Sequence, residues 1–193
     1  MVFKAKRRTV VTTAAGVFVL LVAALVVTVF THGNGNSASA DGNMVAYKAG
    51  HRPAAPDFTA TSLTGAPINF ASYRGKIVVL NVWGTWCAPC QAEGQTLKYL
   101  DEEYGPKGIA FLGDDLQDNP TQALAFLHGV GITYPSVNDA NGAVEERLAI
   151  AVPISATPTT LVIDKTGHVA GVIDGAVTYP EMTTLLNDAA VTQ

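Results

Sequence analysis

Residues 77–83 read Ile-Val-Val-Leu-Asn-Val-Trp, apolar at almost every position and largely β-branched. A strand covered on both faces reads this way, and such strands sit at the centre of largely parallel sheets. The next segment changes period. Leu97, Leu100 and Tyr104 recur at helical spacing, which predicts a helix over about 89–104. Residues 109–113 form a second apolar run, closed by Asp114 and Asp115. Asn119-Pro120 has the form of an N-cap followed by proline at the first helical position, so a helix is expected from there to about His128, stopped by Gly129. A short strand over 134–137 and a helix over 142–150 follow. Residues 159–163 and 169–173 flank the turn Asp164-Lys165-Thr166-Gly167 as a hairpin, and a last helix covers about 179–190. Upstream, Thr64-Gly65 between short mixed runs marks a small hairpin over 60–70. This order describes an α/β sandwich with a mixed sheet.

The N-terminal part obeys a different rule. Val10 to Phe30 carries no charged residue, and Lys4, Lys6, Arg7 and Arg8 stand just before it. As a helix it would be roughly 31 Å long at about 1.5 Å per residue, close to a bilayer core of about 30 Å. The positive-inside tendency keeps residues 1–9 in the cytoplasm and sends the chain after residue 30 outward. Two readings compete: an uncleaved transmembrane signal anchor over 10–30, or a secretory signal cleaved near Ala38-Ser39-Ala40. The length of the run favours the anchor. Residues 31–50, rich in Gly, Asn, Ser and Ala at their start, are expected to be a flexible tether, which leaves 51–193 as the folded domain.

Charge sharpens this division. The net charge is −4, yet all four basic residues of 1–40 lie in the leader and all 16 acids lie beyond it. An acidic body has no electrostatic affinity for a phosphate backbone, so no nucleic-acid partner is expected. Asp114 and Asp115, at the end of their strand, are expected in a solvated loop on the cysteine-bearing edge.

The chain has 2 cysteines, and they are three residues apart in Cys87-Ala88-Pro89-Cys90. That count excludes a disulfide-stapled scaffold and a four-cysteine zinc site. His32, His51, His128 and His168 have no paired ligand spacing, so no metal and no organic cofactor is expected. A cysteine opening a helix meets unpaired N–H groups and the positive end of the dipole, and both favour thiolate. Cys87 is thereby a nucleophile and a good leaving group near neutral pH. Cys90, one turn on, is placed to resolve a mixed disulfide formed at Cys87. Pro89 suits a first-turn position, whose N–H would have no partner.

The stretch Asn81-Val82-Trp83-Gly84-Thr85-Trp86-Cys87-Ala88-Pro89-Cys90 resembles the active site of the thioredoxin superfamily, specifically the membrane-anchored TlpA/ResA-like disulfide reductases with their redoxin (AhpC/TSA-like) domain. Pro56-Asp57-Phe58 is similar to the opening of those domains. Thr157-Pro158-Thr159-Thr160, followed by Ile163 to Val169, resembles their proline loop and hairpin. The resemblance implies a thioredoxin-like fold with an N-terminal hairpin and a central strand–helix insertion. It also implies a cis bond before Pro158, a substrate groove framed by Trp86, Thr157 and Pro158, and a catalytic role for Pro158 beside the cysteines. Glu93 matches the family's glutamate three residues after the second cysteine. Burial would raise its pKa and let it take the Cys90 proton. Asn81 stands where thioredoxins bury an aspartate, and an amide cannot serve as base. The family usually continues Glu-x-Pro, whereas this chain has Glu93-Gly94-Gln95, which puts the orientation of Glu93 in question.

The implied activity is extracytoplasmic reduction of protein disulfides, such as those of apocytochrome c, with a membrane electron donor of the CcdA type. Three rivals share the fold. An oxidase would run the same exchange backwards. A peroxiredoxin would need threonine three residues before its cysteine, where this chain has Gly84. A redox-inert binding module would have no use for both thiols.

Overall fold

The computed structural model describes residues 39–41 and 43–191. The expected anchor over 10–30 lies outside the described residues, as do residues 31–38 and 42 of the expected tether over 31–50. Among the described residues no helix is long and apolar enough to cross a membrane.

The centre is a seven-stranded mixed sheet in the order β1-β2-β9-β8-β5-β6-β7. Its strands are β1 (Ser39–Asp41), β2 (Met44–Ala46), β5 (Val78–Trp83), β6 (Ala110–Leu116), β7 (Ser136–Asp139), β8 (Thr159–Ile163) and β9 (Val169–Asp174). β5, β6 and β7 run parallel, and β8 is antiparallel to both β5 and β9. β3 (Thr59–Thr61) and β4 (Pro67–Asn69) form the expected separate hairpin. The helices are α1 (Ala88–Tyr104), α2 (Pro120–Val130), α3 (Ala143–Ala151) and α4 (Tyr179–Ala190). The strand–helix insertion is β7 followed by α3.

Every residue of β5 is buried, as its unbroken apolar run requires. Val78, Leu80 and Val82 pack with Leu112, Val137, Leu161 and α3's Val144 and Leu148 on one face. Ile77 and Val79 pack on the other with α1's Leu97 and Leu100 and α4's Met182, Leu185 and Leu186. Asn119 caps α2 as expected, its side chain accepting from the N–H of Thr121 and Gln122.

Two expectations are corrected. The folded unit starts before residue 51, because β2 pairs with β9 from Met44↔Ile173 to Ala46↔Gly171 and β1 pairs with β2 outside it. β9 would otherwise present an unpaired backbone edge, and residues of weak strand propensity suffice to cover it. Asp114 and Asp115 are not in a loop. They are inside β6 and fully buried, paired in register with Val82 and Trp83 of β5.

Arg52 locks the far end of the molecule. Its guanidinium pairs with buried Asp164 at 2.9 Å and donates to the carbonyls of Asp188 (2.6 Å) and Val191 (3.1 Å), closing the C-terminus of α4. Burial opposes ionisation of Asp164, but the Thr166 hydroxyl, the His168 N–H and Arg52 outweigh it and hold that carboxyl below its usual range. Removing one partner of a buried pair strands the other. Arg52→Met is therefore expected to cost about 3 kcal/mol in urea unfolding at neutral pH. A loss well under about 1 kcal/mol would mean that Thr166 and His168 alone compensate the Asp164 charge.

Candidate functional site

Cys87 is the N-cap of α1, with extended backbone (φ −96°, ψ 107°), and it is joined to Cys90 by a disulfide. β5 is buried at the sheet centre, so its C-terminal end delivers the helix start to a fixed place. The Cys90 N–H donates to the Cys87 sulfur at 3.2 Å. That N–H is one of the orphan donors of the helix start, so the cap supplies a preformed partner for negative charge on Cys87. Both cysteines are buried, among Trp83, Ala123, Leu127 and Ile132.

The loop before β8 closes the site. The Thr157–Pro158 peptide bond is cis, and the Thr157 carbonyl oxygen lies 3.4 Å from Cys87 Sγ. Asp174 of β9 holds this loop, accepting from the hydroxyls of Ser155 (2.7 Å) and Thr159 (2.8 Å). The Gly175 N–H donates to the Pro158 carbonyl at 2.7 Å. The Thr157-Pro158 pair is thus set beside the disulfide, as the motif order implied.

Glu93 points inward from α1 and is 2% exposed. One carboxylate oxygen accepts from Asn81 Nδ2 at 2.9 Å, the other from the Val177 N–H at 2.7 Å. Burial pushes this carboxyl up to about 7, and the two hydrogen bonds limit the rise. Asn81 also donates to Thr160 Oγ1 at 3.0 Å, so one amide ties α1 to β8. The acid is contributed by the helix, and the strand position that holds aspartate in thioredoxins supplies a donor to it. Gly94 does not break α1, which continues to Tyr104. A Cβ at Gly94 would stand 3.2 Å from the Phe126 ring, so its smallness lets α2 pack closely against α1. The departure from Glu-x-Pro itself is at Gln95, whose side-chain amide donates to the Val130 carbonyl at 3.3 Å.

Trp86 is half exposed, and its indole N–H donates to the Leu116 carbonyl at 3.0 Å. A Cβ at Gly84 would collide with that indole. A peroxiredoxin-type threonine has no room there while Trp86 keeps this position. Thr85 donates from both backbone N–H and hydroxyl to Asp118, and its carbonyl accepts from Gln91 Nε2 at 2.6 Å. Sequence reading gave no role to Asp118, Asp174 or the Val177 N–H. Each acts through a pairing remote in the chain, for which no local spacing is a signal.

Residues 81–94, 117–119, 153–160 and 175–178, which adjoin the disulfide or its partners, contain no Lys, Arg or His, and α2, which packs on the cysteines through Ala123 and Leu127, carries one, the exposed His128. Among the described residues no group of three or more His, Cys, Asp or Glu side chains is arranged to hold a metal ion.

A helix-capping Cys-x-x-Cys disulfide beneath a cis-proline loop, on this sheet, defines a thioredoxin-like thiol–disulfide oxidoreductase. The chain belongs to the AhpC/TSA family, which matches residues 52–172, and within it to the TlpA/ResA-like proteins. It is 34% identical over 128 residues to the thiol-disulfide oxidoreductase ResA of Geobacillus kaustophilus, covering 66% of this chain and 71% of that one. Among solved structures, a DsbF homologue from Corynebacterium diphtheriae superposes with a TM-score of 0.69 at 32% identity, covering 81% of this chain and 96% of that one. A secreted thiol-disulfide isomerase from Corynebacterium glutamicum superposes with a TM-score of 0.71 at 32% identity, covering 79% and 96%.

Proposed function

We propose that this oxidoreductase works as a reductase, tethered to the membrane by residues 10–30 with its catalytic domain on the extracytoplasmic side. Its substrates are protein disulfides, such as that of apocytochrome c before haem attachment. A membrane thiol–disulfide donor of the CcdA type returns it to the dithiol. The scarcity of cations around the cysteines, where α2 contributes only the exposed His128, carries this reading. A strong disulfide-forming oxidant needs a strongly stabilised reduced form. Here the Cys87 thiolate has the helix N-terminus for support, no Lys or Arg in the segments that adjoin it, and the Glu93 carboxyl one turn beyond Cys90.

In the reaction the Cys87 thiolate attacks one sulfur of the client disulfide. The client S–S bond breaks, and the departing client thiolate takes up a proton. Glu93 accepts the Cys90 proton, and the Cys90 thiolate then attacks the Cys87 sulfur. The mixed disulfide breaks and the second client thiol leaves. Two electrons have passed from the Cys87–Cys90 dithiol to the client. Trp86 and the Thr157 backbone line the path of the client chain, with Pro158 at its base.

Equilibration in glutathione or dithiothreitol redox buffers at pH 7 tests the direction. The expected potential lies below about −200 mV; a value near DsbA's roughly −120 mV overturns the reductase reading. The isomerase among its relatives favours the second reading, disulfide formation and exchange in secreted proteins, and the same titration separates the two. Mass spectrometry of the mature N-terminus tests the tether, which a chain beginning at Asp41 would remove.

A further inference from the structure

The end of β6 grips the approach to Cys87. Leu116 accepts from the Trp86 indole, and Asp118 accepts twice from Thr85. Between them Gln117 has φ +50°, and among the described residues it is the one non-glycine with positive φ. A backbone held in that region marks a turn whose geometry is fixed by its surroundings. Asp118 also accepts from the Asn119 N–H at 2.6 Å, so the donors on it are already three.

Behind this bracket is Asp115. It is fully buried, and neither of its oxygens receives a hydrogen bond from any N–H or O–H. Its carboxyl is in contact with that of Asp118. A buried carboxylate with no donor is costly, and two touching carboxylates cannot both ionise cheaply. A single proton on Asp115 resolves both difficulties, because the acid then donates to Asp118 and leaves Asp118 the acceptor for Thr85.

We propose that Asp115 and Asp118 form a proton-sharing carboxyl pair that fixes the Thr85-Trp86 segment, and through it the position of Cys87, and that releases this segment when the shared proton is lost. Both are positioning residues, since neither touches a sulfur. Burial, then the Asp118 charge, pushes the Asp115 carboxyl up to about 7, which sets the range in which the bracket opens. Asp118 is the charged group facing Asp115. The flanking strands present Trp83 and Asn138 to it. The first two turns of α1 carry Glu93 alone as a titratable group besides Cys90, and Glu93 is held by Asn81 and Val177. α2 carries only His128, which is exposed. Asp114 lies on the opposite sheet face, toward Asp139 and Glu145.

The functional part of this inference rests on Cys87 being the attacking sulfur; its test does not. In the oxidised protein the cysteines cannot titrate, so the Thr85 backbone amide reports on Asp118 directly. In ¹H–¹⁵N spectra between pH 5.5 and 8.5 it is expected to shift in one step with a midpoint near 7. Asp115→Asn supplies a permanent donor to Asp118 and should abolish the step. Glu93→Gln should leave it in place. In the reduced protein, client reduction by Asp115→Asn, divided by the wild-type rate, should rise across the same interval by about threefold or more. Asp118→Ala should accelerate Thr85 amide exchange at least about tenfold at pH 6, since it removes the acceptors of both Thr85 donors. A Thr85 amide that does not move with pH, or one that moves identically in Asp115→Asn, overturns the proposal. A normal Thr85 step with reduction independent of Cys87 would instead sink the assignment of the nucleophile.

Discussion

Cys90→Ser is expected to stop turnover after the first covalent step and to accumulate a mixed disulfide between Cys87 and the client. Cys87→Ser is expected to lower disulfide reduction by on the order of a thousandfold or more without accumulating any adduct, because a hydroxyl near neutral pH offers almost no anion where a thiol offers a few per cent. The asymmetry follows from the helix start. Cys87 is the cap whose sulfur receives the Cys90 N–H and meets the Thr157 carbonyl, whereas Cys90 is inside the helix among apolar side chains. Non-reducing electrophoresis of both variants with a disulfide-bonded client checks this. Adducts with Cys87→Ser and none with Cys90→Ser would reverse the roles.

The second large effect is a fall in stability as the solution is made less acid. Glu93 has an ordinary value of 4.5 and is pushed up to about 7 in the folded protein, chiefly by burial. Between those two values the native state holds a proton that the unfolded chain has released. Stability therefore decreases as pH rises through that window, by about 3 kcal/mol from Glu93 alone, and the loss is complete above pH 7. Asp114 and Asp115 act in the same direction: burial, then Asp139, Asp115 and Glu145, raise Asp114 well above the carboxylate range, burial and then Asp118 raise Asp115 to about 7, and no oxygen of either has a donor. Asp118 and Asp164 are lowered instead and act only at more acid pH. Urea unfolding of the oxidised protein should give a higher midpoint at pH 5 than at pH 8. Glu93→Gln should remove the Glu93 share of that slope and leave the share of Asp114 and Asp115, whose carboxyls burial also raises, at a cost of about 1 kcal/mol at pH 5, because one of the two donors to Glu93 loses its acceptor. A midpoint that rises from pH 5 to 8 would mean that Glu93 ionises freely.

These acids also mark how far the sequence could be read. The run over 77–83 announced a strand covered on both faces, and β5 is that strand. Asn119-Pro120 announced the start of α2, and Cys87 to Cys90 the start of α1. Asp114 and Asp115 were misread because charge normally ends a strand. Here β6 continues through them, since its neighbours β5 and β7 supply backbone partners on both sides. The early edge strands were missed because nothing in residues 39–46 forms a strand alone; β2 exists by pairing with β9.

Strand and helix periods, caps and the two-cysteine spacing are local properties. They follow from backbone sterics and from which side chains must leave water, so this chain determines them by itself. The environment of the cysteines does not follow in that way. Glu93 meets Val177 across 84 positions, and Thr85 meets Asp118 across 33. Only the packed sheet decides which acid loses its water, which carboxyl finds a donor and which is left to keep its proton, because desolvation depends on everything that surrounds a group and not on its neighbours along the chain.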